Sequence, residues 1–253
     1  MKLAVSGKGG VGKTTFAAFL IKALSDAGKK VLAIDADPDA NLAQALGIKD
    51  SSNIVPIAQM KDLIEERTGA KPGTIGGFFS LNPKVDDLPD RLSIKIDNIR
   101  LMVMGGIKKG GSGCICPESA LLKQLIRHIV ISRDEAVVMD MEAGLEHLAR
   151  GTAMFVDKLI VVVEPGRRSI ETALQIKKLA SDLGIKNVAV VGNKIRSQQD
   201  EVFIKENLNN FEFLCFLPFK EEIIESDLKG IAVFENDKET LENIKNMIQE
   251  KIL

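Results

Sequence analysis

A glycine-rich segment near the start of the chain limits its possible folds more than any other part of the sequence. The run Gly7-Lys8-Gly9-Gly10-Val11-Gly12-Lys13-Thr14 follows a short apolar stretch, Lys2–Ser6, and leads into a segment of helical periodicity, Lys13–Ala27. Glycines allow successive backbone N–H groups to point at one anion without Cβ clashes, and a helix that begins there adds partial positive charge. The pattern therefore predicts a strand, a phosphate-holding loop and a helix, in that order.

The residues that end this segment indicate which phosphate compound binds. The spacing Gly-x4-Gly-Lys-Thr is that of a P-loop, in which Lys13 reaches the β- and γ-phosphates of ATP and the Thr14 hydroxyl ligates Mg²⁺. A glycine-rich turn without a ligand is the alternative, and the strand–loop–helix context disfavours it. We expect ATP or ADP with Mg²⁺ at a site formed by Gly7, Lys8, Gly9, Gly10, Val11, Gly12, Lys13, Thr14 and Thr15.

Short apolar, β-branched runs alternate with helical segments along the rest of the chain. The predicted strands are Lys2–Ser6, Val31–Asp35, Ile99–Val103, Ala136–Asp140, Lys158–Val163, Asn187–Gly192 and Phe211–Leu217. Helices are predicted at Lys13–Ala27, Ser119–Ile131, Ser169–Leu183, Asp200–Leu208 and Lys238–Leu253, the last as a packed amphipathic helix. Strands that are apolar on both faces and separated by helices predict a doubly wound α/β fold, a mostly parallel sheet flanked by helices on both faces. We interpret residues 1–253 as one domain, with the proline-rich stretch 51–98 as an insertion that contains a helical segment, Ile57–Thr68.

The composition excludes several other classes of protein. The 253 residues are 45% hydrophobic and 27% charged, and a net charge of −1 with a pI near 6.2 gives no sign of nucleic-acid binding. Trp and Tyr are absent, so platforms for stacking bases are not expected. No apolar run is long enough to span a membrane, no secretory segment is recognisable, and three cysteines do not make a disulfide framework. We expect a cytoplasmic protein with no nucleic-acid or membrane partner.

Three aspartates follow predicted strands. Asp35 and Asp37 end the second strand, and Asp140 ends the apolar run Ala136-Val137-Val138-Met139. Carboxyl ends of parallel strands meet at the edge of the sheet where such folds bind ligands. Asp140 therefore fits a Walker B aspartate beside the P-loop, whereas a solvated acidic turn is the alternative for the Asp35–Asp39 segment.

Lys8 gives the P-loop the form Lys-Gly-Gly-x-Gly-Lys-Thr, which resembles the deviant Walker A family that includes MinD, ParA and the nitrogenase iron protein. The resemblance implies a homodimer in which Lys8 contacts the partner's nucleotide and stabilises phosphoryl transfer. A local phosphate contact is the alternative for Lys8. The resemblance also implies that Asp37 orients the attacking water and that Asp35 acts through the water shell of Mg²⁺.

The same family resemblance assigns two further regions. Asp140 followed by Glu142-Ala143-Gly144 corresponds to switch II, where Gly144 would permit the change that senses the γ-phosphate. Asn193 and Pro218, which follow late strands, correspond to the adenine pocket. The alternative is that both residues only shape turns.

A second motif, Cys114-Ile115-Cys116-Pro117, lies after a glycine-rich stretch and before a predicted helix. A helix N-terminus lowers the pKa of nearby thiols and favours the metal-binding thiolate. Two thiolates make half of a tetrahedral or square-planar ligand set, and a symmetric dimer would supply four. Two small residues in a loop are the alternative, and Cys215 is predicted to be a core residue.

The cysteine motif, the switch II sequence from Asp140 to His147 and the run Val190–Lys194 together resemble the CooC group, the accessory ATPases for nickel insertion into carbon monoxide dehydrogenase. This resemblance implies a homodimer that binds Ni²⁺, with Zn²⁺ also possible, through Cys114 and Cys116 of each subunit. It also implies that the protein delivers the metal to the apo-dehydrogenase, its client. His128 and His147 are interpreted as ordinary surface or core residues.

Two other functions fit parts of the sequence. Four thiolates across a dimer could instead hold a [4Fe–4S] cluster in a reductase similar to the nitrogenase iron protein, but Asp140–His147 lacks the second cysteine expected there. A MinD/ParA-type positioning ATPase would need a basic tail or surface, and the lysines of Lys238–Leu253 are offset by glutamates.

Overall fold

A computed structural model describes residues 1–72, 78–105, 116–143, 145 and 153–253 of the chain. The described strands form one eight-stranded sheet of order β3-β4-β2-β5-β1-β6-β7-β8, in which all neighbours are parallel except β3 and β4. The strands are β1 (Lys2–Ser6), β2 (Val31–Ala36), β3 (Ile94–Ile96), β4 (Ile99–Val103), β5 (Ala136–Met141), β6 (Lys158–Val163), β7 (Val188–Ile195) and β8 (Glu212–Pro218).

Seven of the described α-helices lie between strands along the chain, and three follow the last strand. The helices are α1 (Lys13–Asp26), α2 (Leu42–Ala45), α3 (Lys61–Thr68), α4 (Leu88–Leu92), α5 (Pro117–Ser132), α6 (Arg167–Leu183), α7 (Gln198–Asn207), α8 (Glu221–Lys229), α9 (Val233–Asn236) and α10 (Lys238–Lys251). Most are the crossovers that parallel strands require.

Each face of the sheet packs against its own set of helices. Apolar residues of α1, α9 and α10 form one buried cluster with the strands, and those of α3, α5, α6 and α7 form a second cluster on the opposite face. The central strands are buried throughout because they are covered on both faces, which is why they read as continuous apolar runs. The predicted doubly wound, mostly parallel α/β fold is confirmed.

Residues 51–98 contain elements that the sequence did not predict correctly. Ile57–Thr68 is not one helix, because a 3₁₀ turn at Ile57–Gln59 precedes α3 at Lys61–Thr68. The short strand β3 pairs antiparallel with β4 and extends the sheet by one strand. Ile57, Ile64 and Leu88 are fully buried in the core that also holds α5. The interpretation of 51–98 as an insertion stays a prediction.

The C-terminal helix packs as predicted. Leu241, Ile244, Met247 and Ile248 of α10 are buried in the cluster that contains α1. Across the described residues, no helix combines the length and the apolar character that crossing a bilayer would require.

Candidate nucleotide site

The glycine-rich loop lies between β1 and α1 at the carboxyl edge of the sheet. Two of its glycines are required by close neighbours: a Cβ at Gly7 would overlap the carbonyl oxygen of Val162 on β6, and one at Gly12 would overlap the side-chain amide of Asn193 on β7. Gly12 also has a φ of +91°, in the left-handed region, at the residue before α1 begins. The loop is therefore shaped by the neighbouring strands as well as by its own sequence.

The loop opens into a cleft of about 730 Å³. Its walls include the glycine-rich loop, Lys13, Thr14, Thr15 and Asp37, together with Ile223, Ile224 and Asp227 of α8. The Lys13 side chain is only 8% exposed, and its Nζ lies 3.9 Å from Oδ2 of Asp37. A phosphate held by the loop would meet a desolvated ammonium group, so the cleft can bind a nucleoside polyphosphate.

The register of the sheet brings Asp35 and Asp140 together. These residues are partners across β2 and β5, and both are fully buried. Asp35 accepts hydrogen bonds from the backbone N–H groups of Leu42 (2.9 Å) and Asp37 (3.2 Å). Burial raises the pKa of Asp35 to about 6, and these two hydrogen bonds oppose the rise.

Asp140 is the more unusual carboxyl. Neither of its oxygens has a hydrogen-bond partner within bonding distance among the described residues. Burial raises its pKa to about 7, and the facing Thr14 hydroxyl offsets part of that rise. A buried oxygen pair of this kind beside a threonine hydroxyl and a phosphate-binding loop fits Mg²⁺, which takes oxygen ligands and keeps several waters. Asp140 and Thr14 would hold the ion, Asp140 directly or through a water.

The raised pKa of Asp140 predicts an unusual effect of pH on stability. Its folded pKa lies above the ordinary aspartate value of 3.8, so the native state without Mg²⁺ binds more protons than the unfolded state between about pH 4 and 7. This group therefore lowers the free energy of unfolding as pH rises through that range. We expect Asp140→Asn to match the parent near pH 4 and to be more stable at pH 8, by roughly a few kcal/mol, because asparagine removes a buried charge.

Urea unfolding of the Mg²⁺-free protein at both pH values measures this difference. Asp39→Asn is the matched control, since Asp39 also lines the cleft but is exposed. A variant Asp140→Asn that is less stable than the parent at pH 8 would contradict the charge argument.

Asn193 lies beside the loop, and its place in an adenine pocket stays a prediction. Its buried side-chain amide donates to the carbonyl oxygen of Val11 (2.8 Å), so it braces the loop. Strand β7 continues past Gly192 to Ile195 through an irregularity in its pairing with β8, so Asn193 lies within the strand and does not follow it. Pro218 is the exposed last residue of β8.

Sequence reasoning missed two parts of the site. Helix α8 forms one wall of the cleft, and Asp227 on that helix accepts a hydrogen bond from Gln44 of α2 (2.9 Å). Lys194 donates to the carbonyl oxygen of Gly10 (2.6 Å). The apolar pair Ile223-Ile224 followed by Leu228 and a terminating Gly230 is a helix signal that could have located α8.

The cysteine motif is only partly described. Cys114 lies outside the described residues, as do Gly144 and His147. Cys116 is the half-buried residue immediately before α5, where the helix dipole favours a thiolate. Cys215 is half-buried rather than a full core residue, and burial raises the pKa of its thiol to about 12. His128 is a half-buried residue of α5.

Comparisons with known proteins agree with this geometry. Residues 2–233 match the family model described as the CobQ/CobB/MinD/ParA nucleotide binding domain. The chain is 49% identical to an uncharacterized ATP-binding protein of Methanocaldococcus jannaschii, with 98% of this chain and 97% of that protein covered. It is 48% identical to the carbon monoxide dehydrogenase accessory protein CooC of Rhodospirillum rubrum, with 93% and 90% covered.

Solved structures show the same fold. A chain of the MinC:MinD cell division protein complex of Aquifex aeolicus aligns with a TM-score of 0.69 at 22% identity, covering 100% of this chain and 98% of that one. A ParA family ATPase from Chlorobium tepidum aligns with a TM-score of 0.71 at 19% identity, covering 98% of each chain.

Proposed function

Because the chain belongs to the CobQ/CobB/MinD/ParA family of nucleotide-binding proteins and is an ATPase, we propose that it couples ATP hydrolysis to nickel delivery for carbon monoxide dehydrogenase. The observation that carries this proposal is the 48% identity, over nearly the whole of both chains, to the accessory protein CooC. The Cys114-x-Cys116 motif supplies the cargo site, and the apo-dehydrogenase is the client.

Different residues of the cleft have different roles in the proposed ATP hydrolysis. The loop N–H groups and Lys13 hold the phosphates, and Thr14 with Asp140 holds Mg²⁺, which neutralises charge on the β- and γ-phosphates when bound. ATP entry separates Lys13 from Asp37, since the phosphates become the partner of the lysine. Oδ2 of Asp37 is then free at the cleft wall to orient the attacking water, while Oδ1 accepts a hydrogen bond from the backbone N–H of Asp39 (3.0 Å).

Lys8 and Lys13 are suited to different tasks. Lys13 is buried at the cleft, whereas the Lys8 side chain is 36% exposed and does not line the cleft. Since Lys13 already fills the local role, Lys8 is available to reach the nucleotide of a second subunit. We assign Lys8 this role in a homodimer, where its charge stabilises phosphoryl transfer.

Mixing two inactive variants tests the shared site. Lys8→Ala and Asp37→Ala should each bind ATP but hydrolyse it about 10²-fold more slowly. A mixed dimer contains one site with both Asp37 and the partner's Lys8 intact, so an equimolar mixture should recover roughly a quarter of the parent rate through random pairing. If mixed dimers form without any recovery, Lys8 acts within its own subunit.

A reconstitution assay tests delivery itself. Apo carbon monoxide dehydrogenase, Ni²⁺ and this protein are combined with or without Mg-ATP, and nickel retained by the dehydrogenase is measured after the ATPase is removed. We expect ATP to increase retention, and the Lys13→Ala variant to give the ATP-free result. If the dehydrogenase retains equal amounts of nickel with and without ATP, the ATPase does not deliver nickel to this enzyme and must act on another client.

A further inference from the structure

Glu164 lies between two lysines beside the glycine-rich loop. Its Oε1 is 4.0 Å from Nζ of Lys8, and its Oε2 is 3.3 Å from Nζ of Lys194. Lys194 also donates to the carbonyl oxygen of Gly10, with its own φ of +57° in the left-handed region that lysine seldom adopts. One carboxylate therefore connects Lys8 to a lysine that is fixed on the loop.

The backbone places Glu164 where it can meet Lys8. Gly7 packs so closely on Val162 of β6 that no side chain fits between them, and Glu164 follows Val162 by two residues. The backbone N–H of Glu164 donates to the hydroxyl of the buried Ser169 (3.1 Å), which ties this turn to the start of α6. The backbone of Glu164 is thus fixed at the carboxyl end of β6, which keeps its side chain within reach of Lys8.

The Lys8–Glu164 ion pair can favour one position of the Lys8 side chain, yet it is weak enough for another anion to replace Glu164. The two side chains are 36% and 29% exposed, and an ion pair at this distance and exposure shifts an equilibrium only a few-fold. The arrangement parallels Lys13, which is paired with Asp37 at 3.9 Å. Both lysines of the glycine-rich loop therefore have a carboxylate partner that a phosphate group could replace.

We propose that Glu164 is a positioning residue that holds Lys8 in the nucleotide-free subunit, and that dimerisation with ATP exchanges this pair for the phosphates bound by the partner subunit. The inference rests on the proposed role of Lys8 in a homodimer. It adds a free-energy cost to dimerisation, because Lys8 of each subunit must leave Glu164 before the dimer closes. Lys194 keeps Glu164 partly neutralised after Lys8 leaves.

Glu164→Gln removes the charge while keeping the shape of the side chain. Dimer formation is measured by analytical ultracentrifugation against the concentration of an ATP analogue with a β–γ imido bridge, in Mg²⁺. We expect Glu164→Gln to reach half-dimerisation at about two- to fivefold lower analogue concentration than the parent. The difference should shrink at high salt, which screens an exposed ion pair. Glu171→Gln is the matched control, an exposed glutamate on α6, and should match the parent.

The Lys8→Ala background separates a positioning role from a structural one. Adding Glu164→Gln to Lys8→Ala should not move the analogue concentration for half-dimerisation, because the partner of the carboxylate is already absent. A shift of equal size in that background would overturn the proposal. An unchanged or higher midpoint in the Glu164→Gln single variant would also overturn it, while leaving the homodimer intact. A parent protein that does not dimerise with the analogue would overturn both the homodimer and this inference.

Discussion

Replacing Lys13 by alanine is expected to lower kcat/KM for ATP by about 10²–10³. Lys13 is the buried cation of the cleft, and its charge-assisted contacts with phosphate are made where water cannot screen them. The substitution also leaves the nearby Asp37 carboxylate without its cation, so the bound phosphates would face an unneutralised negative charge. Both effects weaken ATP binding as well as hydrolysis.

Isothermal titration with Mg-ATP and a phosphate-release assay measure the two effects separately. Lys22→Ala is the matched control, because Lys22 lies on the same helix but pairs with Asp26, away from the cleft. Hydrolysis at the parent rate by the Lys13→Ala protein would contradict the assignment of Gly7–Thr14 as the phosphate site.

Much of the fold could be predicted because its signals are local. The strands at Lys2–Ser6, Ile99–Val103 and Lys158–Val163 have the predicted limits, since polar or glycine residues lie at or within two positions of the ends of each apolar run. The loop from Gly7 to Gly12 lies between β1 and α1, as its glycines indicate. Strand β3 was missed because it has three residues and is only partly buried, which leaves no periodicity to detect.

The remaining parts of the site depend on contacts between distant segments. The sequence indicates that Asp35 and Asp140 each end a strand, but the pairing of β2 with β5 and the burial of both carboxyl groups, which raises their pKa values, are seen only in the folded chain. Glu164 becomes a partner of Lys8 through the packing of Gly7 on β6, over a separation of more than a hundred residues. No spacing rule connects such positions, so only the folded chain shows them.

Substituting serine for Cys114 or Cys116 is expected to abolish tight nickel binding while leaving ATP binding nearly intact. One subunit offers two thiolates from this motif, so a four-thiolate site requires two subunits and one ion per dimer. Each substitution removes two of the four ligands, which should weaken Ni²⁺ binding by on the order of 10³ or more. Metal that binds only the dimer should also raise the dimer fraction by mass action.

Equilibrium dialysis with Ni²⁺ under reducing, oxygen-free conditions gives both affinity and stoichiometry. Cys215→Ser is the matched control: the Cys215 thiol, with its pKa raised to about 12, stays protonated at neutral pH and is a poor metal ligand. We therefore expect this variant to bind one ion per dimer, like the parent.

The same variants distinguish nickel delivery from the alternative function, an iron–sulfur reductase. If Cys114→Ser protein retains one tightly held ion per dimer, the cysteine motif is not the cargo site. If the parent protein purified without oxygen contains iron and inorganic sulfide, with a visible absorption band that both substitutions remove, the thiolates hold an iron–sulfur cluster instead. The position of Cys116 at the N-terminus of a 16-residue helix favours thiolates in either case, so identifying the bound metal, and not thiolate character, decides between delivery and electron transfer.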